Sequence, residues 1–188
     1  MPLSRAADRE PIHHRAINCR GFRRADGLWD IEGHMVDVKS YPFQNTWRGE
    51  IQPGEPLHEM WLRLTLDDEL KIIDIEAATD NSPFPECPNF PERFHLLKGV
   101  KIASGWTRKI RKELGGVNSC THLVELLGPM ATTAFQTIYP LISMEKQKTD
   151  KSIRPPLINT CHAFASDGDV VRRQWPTFYT GDNDVKNK

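Results

Sequence analysis

The sequence predicts an α+β fold: an antiparallel three-stranded meander covered on one face by helices, extended by a C-terminal β-hairpin. Two observations carry the order of elements. Period-two alternation of apolar residues is confined to residues 28–77, and helical spacing follows over residues 94–141. Strands first and helices afterwards is the α+β pattern, not the alternating βαβ one. A third observation, two short strand-like runs around Ser166-Asp167-Gly168, supplies the terminal hairpin, because Asp-Gly favours a tight turn.

Taken in order, residues 1–14 are polar and aperiodic and read as a disordered tail. His13–Arg24 is a basic arm, with Arg15, Arg20, Arg23 and Arg24 around Cys19 and Phe22. From Leu28 to Lys39, Trp29, Ile31 and Met35 fall on one side, with Asp30, Glu32 and His34 on the other. That is a half-buried strand. Tyr41–Pro56, with its prolines and glycines, is a loop. A second strand, Leu57–Leu66, puts Met60, Leu62, Leu64 and Leu66 on one face and Glu59, Trp61, Arg63 and Thr65 on the other. Asp67-Asp68-Glu69 turns the chain into a third strand, Leu70–Ala77.

Four prolines between Asn81 and Pro91 then forbid a regular element and favour a stiff loop around Cys87. Phe94 and Leu97 mark one helix, and Trp106, Ile110 and Leu114 a second that ends at Gly115-Gly116. Ser119 caps a longer helix whose apolar face is Leu123, Leu126, Leu127, Met130, Ala134, Ile138 and Leu141. Pro129 predicts a kink there, or two helices abutting at Gly128. The charged stretch 145–156 is linker-like, Leu157–Phe164 and Asp169–Trp175 are the hairpin strands, and 176–188 is a frayed tail. Residues 15–175 thus read as a single α+β domain.

Twenty-five basic residues balance 25 acidic ones, so wholesale binding to nucleic acid is disfavoured. No apolar run approaches the roughly 18 residues that span a bilayer, and the first residues lack the apolar core of a secretory signal. The expectation is a cytoplasmic protein whose four cysteines are mostly reduced thiols rather than a disulfide frame, with no membrane association and a small molecule or protein as partner. A homo-oligomer is left open.

The densest chemical cluster is Ser119-Cys120-Thr121-His122-Leu123-Val124-Glu125. Cys120 falls in the first turn of the long helix, where the dipole favours a thiolate, and Glu125 is spaced to orient His122. Three roles stay open for Cys120, His122 and Glu125: plain packing, metal ligation, or catalysis with Cys120 as nucleophile and His122 or His58 as base. Cys87 in the proline loop, His58 at a strand start, and Cys19, His34 and Cys161-His162 are further candidates. Trp106 with Arg108 and Lys112 forms a candidate site for a phosphate, a coenzyme tail or another anion, against the plainer reading of a solvated face. No C-x-x-C, H-E-x-x-H, G-x-G-x-x-G, Walker-type or G-x-S-x-G motif is present, which removes most of the case for dinucleotide enzymes, P-loop NTPases and ordinary α/β-hydrolases.

The strings CRGFRRADGLWDIEGHMVDVK, GEPLHEMWLRLTLD, SGWTRKIRKELGG and SCTHLVELLGPMATTAFQT resemble an uncharacterised bacterial family of unknown function. Met60–Ala77 and the later SCTHLVELLGPMATTAFQTI are similar, more distantly, to the hairpin and the last ligand cysteine with its following helix in U-type iron–sulfur cluster assembly scaffolds. That likeness implies scaffold-like packing and marks Cys120 alone as a ligand-type position. Under such packing Cys120, His122, Cys87 and one of His58 or Glu59 converge, a donor set suited to zinc or iron.

Overall fold

The computed structural model describes residues 3–89, 91–149 and 153–181, without the side chains of 144–149. It separates into two compact units, residues 1–142 and 143–188. In the first, strands β1 (His13–Arg23), β2 (Trp29–Lys39), β5 (Pro56–Leu66) and β6 (Ile72–Asn81) form an antiparallel sheet in the order β1-β2-β5-β6. A separate small hairpin, β3 (Phe43–Asn45) with β4 (Gly49–Ile51), is inserted between β2 and β5.

Two expectations are corrected here. The basic arm is a full strand, paired with β2 from His13↔Lys39 to Arg23↔Trp29. It lacks an apolar period because it is an edge strand, exposed along nearly its whole length. The Tyr41–Pro56 loop likewise contains the β3–β4 hairpin, too short for alternation to register.

One sheet face is apolar. Trp29, Ile31 and Met35 of β2, Met60, Leu62, Leu64 and Leu66 of β5, and Ile72 and Ile75 of β6 are buried there. Against it pack α1 (Trp106–Leu114) through Trp106, Ile110 and Leu114, and the long helix α2 (Thr121–Thr149) through Leu123, Leu126, Leu127, Met130, Ala134 and Ile138. The segment Pro91–Leu97 buries Phe94 and Leu97 as expected, but as a 3₁₀ helix rather than an α-helix. Helix α2 is one continuous element that contains both Pro129 and Pro140, so the two-helix alternative at Gly128 does not hold. Close approach of α2 to the sheet depends on two glycines. A Cβ on Gly33 would lie 2.6 Å from Met130 Sδ, and one on Gly21 would collide with Thr137.

The opposite face is polar. His34 stacks on Trp61 at 3.6 Å between ring centroids, and Arg63 bridges Glu32 and Glu76.

In the second unit the expected C-terminal β-hairpin is absent: no strand follows β6 among the described residues. Leu157–Phe164 is a series of turns ending in a 3₁₀ segment, and Asp169–Gln174 is a short helix, α3. Gly168 is the N-cap of α3, Asp169 lies in its first turn, and Arg172 and Arg173 lie in its last. These charges complement a helix dipole, so the Asp-Gly signal marks a helix start rather than a hairpin turn. Helix α2 runs on to Thr149, into the linker-like stretch 145–156, of which residues 150–152 lie outside the described residues. So does most of the expected C-terminal tail, residues 182–188. Among the described residues, no helix is long and apolar enough to cross a membrane.

Candidate functional site

The buried-face alternation of β2 continues past Met35 to Asp37, and that of β5 starts at His58. Cross-strand pairing sets Asp37 opposite His58, at the end of the sheet where α2 begins. His122, in the first turn of α2, lies over His58 with ring centroids 3.7 Å apart and planes inclined by 30°. One ligand-type atom from each of Asp37, His58 and His122 lies within 4.8 Å of the other two. A carboxylate and two imidazoles therefore converge, carried by two adjacent strands and a helix start.

Asp37 is 1% exposed, and its carboxylate is fully engaged. Arg15 donates from Nε to Oδ1 at 2.7 Å and from Nη2 to Oδ2 at 2.8 Å. His58 Nδ1 is 3.1 Å from Oδ2, and His13 Nε2 is 3.2 Å from Oδ1. Arg15 also reaches across to Glu125 of α2, which ties the edge strand to the helix beside the site. Burial alone would raise the Asp37 pKa, but the Arg15 hydrogen bonds and charge outweigh it, and the group is held below the ordinary carboxylate range. His58 is lowered to about 4 by burial and then by the nearby His122, against the pull of Asp37. Burial, with the Arg15 charge, also lowers His122. At neutral pH the site holds two neutral imidazoles and an anionic carboxylate, with metal-ligating lone pairs available on the imidazoles.

Residues 13–136, 124 of the 188 residues, match the model of a family described as a protein of unknown function, DUF2889. The chain belongs to the DUF2889 family. Neither the curated proteins nor the solved structures include a match to it. The DUF2889 match begins at the first residue of β1 and ends within α2, so it contains Asp37, His58, His122, Arg15 and Glu125.

Within this DUF2889 domain the sequence-selected candidates separate. His58 and His122 meet. Cys120 does not join their cluster: it is 8% exposed, and its Sγ lies 3.8 Å from the thioether sulfur of Met60. Cys87 sits in a 3₁₀ turn, where burial first and the proximity of Cys120 second raise its pKa. Glu125 binds Arg15, and its charge also acts on His122. Trp106 is a core residue whose indole Nε1 donates to the Leu127 carbonyl at 3.3 Å, while Arg108 and Lys112 are exposed along α1. Asp37, Arg15 and His13 were not selected from the sequence. Asp37 had a signal, since it has the same parity as Trp29, Ile31 and Met35, which marks it as a carboxylate on a buried face.

Proposed function

We propose that Asp37, His58 and His122 bind a divalent zinc or iron ion, and that this DUF2889 domain is a metal-centre domain. The observation that supports the reading is the convergence of the three donors within 4.8 Å. Two imidazoles with one carboxylate is the donor set of open, chemically active sites, in contrast to the four filled positions of a structural zinc. The 3.1 Å between His58 Nδ1 and Asp37 Oδ2 also suits the reading. Two ligands about 2.1 Å from one ion keep that separation at an angle of about 95°, so a cation can replace the proton between them. Formal charge favours it too. Asp37, Glu125 and Arg15 sum to one negative charge around two neutral imidazoles, and a divalent ion offsets it. An ion held there would polarise a water or substrate oxygen that completed its coordination.

The test is a titration of the chelator-treated full chain with zinc and, under anaerobic conditions, ferrous iron. Wild type is expected to bind one ion per chain. His58→Ala and His122→Ala are expected to lose at least about a hundredfold in affinity, more than outer-shell changes cost. Cys120→Ser is expected to bind as wild type. No binding by wild type, or loss in Cys120→Ser with retention in both histidine variants, overturns the assignment.

A further inference from the structure

A second group of charged side chains lies on α1. At the start of α1 a cavity of about 350 Å³ is lined by Val100, Lys101, Ser104, Gly105, Trp106, Arg108, Lys109 and Lys112. Four of these are cations and none is acidic, in a chain whose charges balance as a whole. We propose that this cavity binds the phosphate groups of a small soluble ligand.

The cations there are not equivalent. Lys101 is paired with Glu69 and Lys109 with Glu113, each at 3.0 Å. Arg108 and Lys112 form no ion pair among the described residues, although the Lys112 charge acts on the adjacent Glu113, and at i and i+4 they project from the same side of α1. Their charge is thus left for a ligand. A guanidinium fork with an adjacent ammonium suits phosphate oxygens, where Arg supplies directed paired donors and Lys a point charge.

The backbone beneath them is open. Gly105 adopts φ 89°, in the left-handed region that favours glycine, and nothing but the Arg108 guanidinium, at 3.7 Å, stands where its side chain would be. The first turn of α1 has no side-chain cap and no acidic residue, so no side chain there offsets the positive end of the helix dipole. Ser104 adds a hydroxyl donor. Trp106, buried and tied to the Leu127 carbonyl, gives the cavity an anchored apolar floor. The volume is at the lower end of small-molecule sites and exceeds that of a single phosphate, so the matching class is a compact diphosphate-bearing molecule.

The test is calorimetric titration of the metal-stripped full chain with inorganic pyrophosphate at low and moderate salt. Saturable one-to-one binding is expected, weakened about tenfold or more by Arg108→Ala and by Lys112→Ala. Arg20→Ala, an equal loss of charge on the sheet, and His58→Ala are expected to bind as wild type. Arg108 and Lys112 are exposed, so thermal unfolding of both variants is expected to match wild type. No saturable binding overturns the proposal, as does equal weakening by Arg20→Ala. Binding only to vesicles containing anionic lipid overturns it in favour of a membrane surface. Because His58→Ala separates the two sites, failure here leaves the metal assignment untouched, and the reverse also holds.

Discussion

The imidazole of His122 lies over that of His58, with ring centroids 3.7 Å apart. This joins the first turn of α2 to the start of β5, and it keeps two uncharged rings beside a charged carboxylate. Two imidazolium ions at this distance would repel, so the pair is stable only with at least one ring neutral.

Stability of the metal-free protein is therefore expected to fall on mild acidification. His58 takes up a proton at about 4 in the folded chain. In the unfolded chain it does so near the ordinary value of about 6.5. The unfolded state thus binds the proton first. The contribution of His58 is fully present above about pH 6.5 and is lost as pH falls toward 4, in total on the order of 3 kcal/mol. His122 shifts in the same direction, and Asp37, Arg15, Glu125 and His13 are the other charged or titratable groups around the pair. Urea unfolding across this range is expected to show the loss, with a shallower slope for His58→Gln. A flat profile in wild type would contradict the placement of His58.

Asp37→Asn is expected to cost about 2–3 kcal/mol in urea unfolding. The change preserves side-chain shape, but it removes the carboxylate that Arg15 grips with two nitrogens. A charged group is then left partly desolvated, with only Glu125 in reach. A change below about 0.5 kcal/mol would show that the ion pair contributes nothing net.

Gly21→Ala is expected to lower stability by about 1–3 kcal/mol, because the added methyl meets Thr137 on α2. Thr137 cannot simply rotate away, since its Oγ1 donates to the Thr133 carbonyl at 2.8 Å. In the double variant Gly21→Ala/Thr137→Ala most of the loss is expected to be recovered. Thermal unfolding of the three proteins reads this directly, and a neutral single variant would contradict the close packing of α2 on β1.

Much of this architecture is written locally. The alternation around Met35 and Met60 and the helical spacing of Trp106, Ile110 and Leu114 each sit within one element, and each element forms where the pattern places it. Edge strand β1 shows no apolar period because nearly all of its residues are exposed, with Cys19 alone half-buried. The C-terminal runs differ from the expected hairpin because Asp167-Gly168 serves a helix start as readily as a hairpin. The site was half legible. His58 and His122 stand out as residue types, whereas their meeting depends on the Asp37↔His58 register and on where α2 lands, both long-range facts. Cys120 drew attention through its place at a helix start, yet its side chain turns to Met60 and the core.

The most direct test of the metal assignment is X-ray absorption at the zinc edge on the zinc-loaded full chain. The expected first shell contains only nitrogen and oxygen at about 2.0–2.2 Å, with outer-shell scattering from two imidazoles. A sulfur shell at about 2.3 Å would contradict the account and move the ion from Asp37, His58 and His122 to the thiols of Cys120 and Cys87.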